Sequence, residues 1–348
     1  VKKAPYETVP SPITSTLKGR EETMKKGLLC LVAGILLVGL FVTTAAVAGP
    51  KTMKAVSFLP KDHPLCAMIH VWVNRVNDQC KDSIKIDWVG GPEVIPGFDQ
   101  AEALRNNTVQ VIFNPVAYYA PLLPEGNSFQ LSKLTMAEER KPGGYYDFMV
   151  ERHKRIGMMY LGTWLYDPFY LRLNKPVSKL EDLKGIKIRT AALYDRFMKK
   201  LGMVPVTVKF GETYTALERG LVDGFGFATL GPADWGWTKH CKYIIDIPFY
   251  TRQNVLILMN LDEWNNLDKK LQDKLMDITV KFEPEMVAYF KKEIAKEWKR
   301  YDEMGIVRIK FSPEENEKYL QMAYDAEWED LEKKVPDLVP TLKKLTGN

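Results

Sequence analysis

Between residues 54 and 113 the hydrophobic pattern changes period four times, and few architectures accommodate that. Lys54 to Leu59 reads as a strand. Asp62-His63-Pro64 then opens a helix, with Asp62 as its cap and the proline in its first turn. Leu65, Met68, Ile69, Trp72 and Val76 give it one apolar face. Ile84, Ile86 and Trp88 alternate with Lys85 and Asp87, which predicts a second strand. Gly90-Gly91-Pro92 breaks the chain, a short helix runs through Leu104, and Val109 to Phe113 forms a third strand. Parallel strands need crossover helices between them, so this order predicts an α/β domain with a largely parallel sheet.

The order then recurs. Ile186 to Arg189 is a strand, Leu193, Phe197 and Leu201 mark a helix, and Val204 to Val208 is a strand. A helix over Thr213 to Arg219 leads into Val222 to Phe227. Ala103-Leu104-Arg105 before Val109-Gln110 parallels Ala216-Leu217-Glu218 before Val222-Asp223, as two similarly built lobes would. After residue 262 the chain is helical. Leu271, Leu275, Ile278 and Phe282 share a face that Phe290, Ile294 and Trp298 continue, with a kink or break expected at Pro284. Val307 to Phe311 reads as a short strand. Ser312-Pro313-Glu314-Glu315 is a capping box for a last helix ending near Lys334.

The front of the chain bears on compartment. Met24-Lys25-Lys26, the apolar run Leu28 to Val42 and Ala46-Val47-Ala48 are the parts of a secretory signal peptide, with cleavage expected after Ala48. The alternative is an uncleaved membrane anchor over Gly27 to Ala48. Residues 1–23 read as an upstream false start, with Met24 as initiator. Residues 1–48 carry six Lys/Arg and three Asp/Glu, so their removal takes the formal charge from +5 to +2. That near-neutral balance leaves no nucleic-acid footprint. Cys30 follows Leu29 inside the apolar run, which excludes a lipoprotein cysteine. Cys66, Cys80 and Cys241 lack metal or disulfide spacing and are expected as buried thiols.

No enzyme constellation is present: there is no G-x-S-x-G, G-x-x-x-x-G-K or H-E-x-x-H, and His63, His70, His153 and His240 are scattered. Two segments are more informative: V-S-K-L-E-D-L-K-G-I-K-I-R-T from Val177, and L-G-M-V-P-V-T-V-K-F-G-E-T-Y-T-A-L-E-R-G-L-V-D-G from Leu201. Together they resemble the central signature of the DctP-like TRAP solute-binding proteins. The resemblance implies a type II-like, two-lobed periplasmic binding protein fold of class α/β, with a long helix linking the lobes. Lobe I would comprise 49–166 plus 252–295, and lobe II 167–251 plus 296–348. The implied function is that of a periplasmic receptor, monomeric and without a cofactor, that delivers an organic acid to membrane permease subunits. An ABC-importer receptor, a sulfonate-binding receptor and a secreted α/β enzyme are the alternatives.

Arg189 occupies the family's ligand-pairing arginine in K-I-R. A planar guanidinium at a strand end suits a carboxylate held away from water. Two departures follow from the resemblance: Phe169 stands where many relatives carry a second arginine, and Phe227 where many carry asparagine. Rings in place of polar partners suit an apolar or aromatic acid. Phe169, Phe210, Phe227 and Trp235 are expected to line the pocket, with Tyr119, Trp164, Tyr166 and Trp237 nearby. Glu212 is expected as a helix cap or a ligand contact. Asp234 is the one candidate cation ligand.

Overall fold

The computed structural model describes residue 1, residues 49–190 and residues 193–348. The leader, its cleavage point and Cys30 lie outside the described residues. The strands are β1 (Lys51–Ser57), β2 (Ile84–Gly90), β3 (Val111–Pro115), β4 (Met158–Thr163), β5 (Phe169–Leu173) and β6 (Lys187–Thr190). They continue with β7 (Val204–Thr207), β8 (Gly224–Ala228), β9 (Tyr243–Ile245), β10 (Val255–Asn260) and β11 (Val307–Ile309). Two sheets result, in the orders β2-β1-β3-β10-β4 and β11-β9-β5-β8-β6-β7.

Each sheet is parallel only in part. β1 pairs parallel with β2 and β3, and β6 with β7 and β8, as the alternating pattern predicts. β10 runs antiparallel between β3 and β4, and β5 antiparallel between β8 and β9. The reason is connectivity. β5 follows a passage from the first sheet to the second, and β10 a passage back, so each enters its sheet from the end opposite to a crossover strand. The sequence leaves these strands unmarked because β4, β5 and β10 are buried at every position and show no alternation.

Helix α1 (Ala67–Gln79) buries Met68, Ile69, Trp72 and Val76. Its cap differs from expectation. A 3-10 turn, Pro64–Cys66, precedes it, and His63, not Asp62, accepts the Leu65 N–H. Next come α2 (Gln100–Arg105), α3 (Met136–Glu139), α4 (Tyr145–Lys154), α5 (Asp195–Lys200), α6 (Thr213–Glu218) and α7 (Leu261–Asn265). Helix α8 (Lys269–Glu303) runs unbroken for 35 residues through Pro284. The break does not occur because Phe282, Met286 and Phe290 anchor the helix on both sides of the proline. Pro284 and Val280 are themselves on the solvent side, so the Val280 carbonyl that the proline leaves without a donor can meet water.

Helix α9 (Pro313–Lys334) starts with Ser312 accepting the Glu315 N–H at 3.3 Å. The reciprocal half of the expected capping box is missing: the Glu315 carboxylate accepts the Leu180 N–H at 3.0 Å instead. Helix α10 (Val339–Thr346) closes the chain, with the Thr346 carbonyl accepting from Lys133 N at 2.9 Å. Cys66, Cys80 and Cys241 are free and buried. Among the described residues no helix is long and apolar enough to cross a membrane.

Candidate ligand-binding site

Arg189 lies near the C-terminal end of β6, in register with Val206 of β7 and Phe225 of β8. It is 6% exposed. Nη1 donates to the Tyr194 hydroxyl at 3.3 Å, while Nε is buried with no hydrogen-bond partner. Tyr194 in turn donates to the Gly226 carbonyl, which fixes its oxygen beside the guanidinium. Buried Arg252 and half-buried Arg140 and Arg196 each pair with a glutamate. Arg172 directs its donors at the carbonyls of Phe227 and Thr229 and at the Tyr301 hydroxyl. Arg189 has no Asp or Glu partner among the described residues. A buried charge left in this way is costly, and an anion between the lobes would relieve it.

Rings surround this charge. The Arg189–Phe225 register and the two-residue period of β8 put Phe227 on the same sheet face as Arg189. Trp237 lies 5.9 Å from the guanidinium. Phe210, Phe227 and Trp235 all contact Trp237 with centroids 5.0–5.4 Å apart, and Phe210 meets Trp235 edge-on at 4.7 Å. Gly231 makes this possible: its φ is +105°, and a Cβ there would sit 2.0 Å from Trp235 Cη2.

The first-sheet side contributes residues that sequence reasoning missed. His63, 6% exposed, places its ring 4.8 Å from Trp235 and 5.8 Å from Phe210. Leu65 N–H donates to Nδ1 at 3.1 Å, so the neutral ring carries its proton on Nε2. That Nε2 is buried without a partner. Burial lowers the imidazole pKa to about 4, against the opposing charges of Asp62 and Asp234, so His63 is a neutral donor at neutral pH. Burial raises the Tyr118 phenol pKa, and the nearby Arg189 charge opposes that shift. Tyr118 stacks on Phe98 at 4.1 Å and meets Phe58 edge-on. Trp164, which the sequence does place nearby, lies 5.9 Å from Phe58, its Nε1 also buried and unpartnered.

Other expected residues lie elsewhere. Tyr119 belongs to the first-lobe core. Its hydroxyl donates to His153 Nε2 at 3.0 Å, because Nδ1 of that ring uses its proton on the Met149 carbonyl. Phe169 sits opposite Ala228 and Tyr170 opposite Phe227, so Phe169 and Phe227 point to opposite faces. Phe169 packs on Tyr194 and Phe249 and reaches Arg189 only through Tyr194. Glu212 is exposed at the start of α6 and its side chain makes no capping bond. Asp234 pairs with Arg300 at 2.6 Å, which occupies the carboxylate proposed for a cation. Tyr166 lies under Lys291, away from these rings.

The two-sheet architecture agrees in fold with solved solute-binding proteins. A TRAP periplasmic solute-binding protein from Desulfovibrio salexigens, solved with orotic acid, superposes with a TM-score of 0.75 at 16% identity, covering 85% of this chain and 97% of that one. The chain belongs to the bacterial extracellular solute-binding protein family 7, DctP, whose profile matches residues 55–334. It is 25% identical over 224 residues to a monocarboxylate 2-oxoacid-binding periplasmic protein of Nostoc, covering 59% of each. It is 22% identical over 214 residues to the C4-dicarboxylate-binding periplasmic protein DctP of Rhodobacter capsulatus, covering 58% of this chain and 62% of that one. The chain thus spans less than two thirds of the length of either curated relative.

Proposed function

We propose that this protein is the periplasmic receptor of a TRAP-type transporter, secreted through a cleaved leader, that captures a monoanionic organic acid with an apolar or aromatic body. Delivery to membrane permease subunits follows from the family and is part of the proposal. The observation that carries it is Arg189, buried beside Trp237 with no carboxylate partner among the described residues. A single charge is favoured because, among the described residues, Arg189 is the only cation over any of the rings Phe210, Phe227, Trp235 and Trp237. At the other end His63 offers one neutral N–H, which suits an oxo or hydroxyl acceptor. The two curated relatives are named for monocarboxylates and dicarboxylates, and this geometry favours the former.

Calorimetry against phenylpyruvate, phenylacetate, benzenesulfonate, pyruvate and succinate tests the reading. A monoacid with an apolar body should bind more tightly than succinate and be recovered chemically unchanged. Arg189→Gln should weaken it by roughly 30-fold or more, since losing one partner of a buried charge pair costs about 2–5 kcal/mol. The same number of sites at unchanged affinity in that variant, or turnover of the bound acid, would overturn the proposal.

A further inference from the structure

We infer that the protein has a second binding site, on the hinge, for an amphiphilic carboxylate. A cavity of about 800 Å³ shares no lining residue with the ring enclosure at Arg189. Its size suits one small organic molecule. Its walls come from both passages between the sheets, with Tyr166 from the β4–β5 passage and Thr251 and Arg252 from the β9–β10 passage. α8 adds Val280, Val287 and Lys291, and α9 adds Tyr324.

The charges are unbalanced. Glu283 accepts both Arg140 Nε at 2.7 Å and Arg140 Nη2 at 2.9 Å, and also the Thr163 N–H at 3.0 Å. Glu139 is engaged by Arg252 Nη1. The acids near the cavity are therefore committed. Arg252 is 6% exposed, and its Nε and Nη2 are buried without hydrogen-bond partners. Lys133 and Lys291 have no carboxylate partner among the described residues, and each instead lies over a tyrosine of the wall, 5.9 Å from the Tyr324 ring and 5.8 Å from that of Tyr166. Leu134, Met136 and Val287 give the lining an apolar part. An acid with a ring or short alkyl body matches this arrangement: its body covers the apolar wall and slots between the two tyrosines, and its carboxylate meets the lysines. Inorganic anions would leave that wall unfilled.

Crystals of the Arg189→Gln variant soaked with 4-bromobenzoate or 6-bromohexanoate would show anomalous bromine density between Lys133 and Lys291. In solution, calorimetry with 4-bromobenzoate should show two classes of site in the wild type, of which the Arg189→Gln variant loses the cleft class and keeps the second within twofold. Lys133→Gln/Lys291→Gln in that background should weaken it at least tenfold, with an unchanged melting temperature. Both lysines are exposed, so folding is not at stake. No bromine in the cavity with either acid, or binding insensitive to the two lysines, would overturn the site. Loss of all binding with Arg189→Gln alone would assign the acid to the cleft and also overturn it. The cleft reading fails instead if the wild type and Arg189→Gln bind with the same sites and affinities, so the two readings fail separately.

Discussion

In the proposed site, Arg189 and His63 differ in kind. The arginine offers a fixed charge, and the histidine offers one uncharged N–H whose direction is set by the Leu65 bond on its far nitrogen. His63→Phe keeps the ring packing on Trp235 and Phe210 and deletes the donor. Acids with a distal acceptor should then bind roughly 5–30-fold more weakly, the equivalent of about 1–2 kcal/mol for a buried bond, while acids without one should be unaffected. Equal losses for both classes in calorimetry would remove the donor role. A third residue, Asp167, governs pH response. It is fully buried, and burial raises its pKa to about 7, against the N–H groups of Leu230 and Thr229 and the Arg172 charge. Between about pH 4 and 7 the folded chain holds a proton that the unfolded carboxylate has released. Its contribution therefore falls as pH rises through that window, by up to about 1.4 kcal/mol per pH unit, and is constant above it. His63 and His153, both lowered to about 4, act in the opposite sense: their contribution is present above pH 6.5 and is lost as pH falls toward 4. Comparing wild type with Asp167→Asn cancels the histidines. By urea unfolding, the wild type should lose stability relative to the variant on going from pH 5 to pH 7.5. A difference that is the same at both pH values would contradict the raised carboxyl.

At the scale of elements, α8 carries an untested cost at its centre. Proline in a helix interior is about 3 kcal/mol worse than alanine, partly offset by roughly 1 kcal/mol from stiffening the unfolded chain. Pro284→Ala should therefore raise stability by about 2 kcal/mol in chemical denaturation. A fall would mean that α8 packs against the first sheet only with the proline in place. The same scale shows what the sequence could and could not reveal. β2 and α1 were legible because each exposes one face and so writes its period into the chain, and α9 because Ser312-Pro313 marks its start. β4 and β10 were not, since a strand buried on both faces has no period to read. Arg189 was legible through its motif. The choice between Tyr118 and Tyr119 was not, because the 3-10 turn Val116–Tyr118 sends adjacent side chains to different surroundings. Nor was His63, whose partners Phe210 and Trp235 belong to the other side of the cleft and leave no local trace near Pro64.

Across the whole molecule, three passages join the sheets: residues 164–168, residues 246–254 and the helix α8 leading to β11. In this structure the two sides touch through rings, with His63 on Trp235 and Phe210, and through a long bond of 3.4 Å from Gln130 Nε2 to the Leu193 carbonyl. The arrangement seen here buries Arg189 Nε, His63 Nε2 and Trp164 Nε1 without partners. Each such group loses hydration on closing and regains nothing, so closure without an anion is opposed at the place where the lobes meet. On the proposed reading, an acid that bonds both the arginine and the imidazole would reverse that balance only with the lobes together, which is what shifts a two-state equilibrium. Small-angle scattering should therefore show the radius of gyration falling when a bound acid is added to the wild type. In Arg189→Gln the same acid concentration should leave it unchanged. Identical scattering from the wild type with and without an acid whose binding calorimetry has established would mean that the lobes close for another reason, and that the unpartnered groups do not control the hinge.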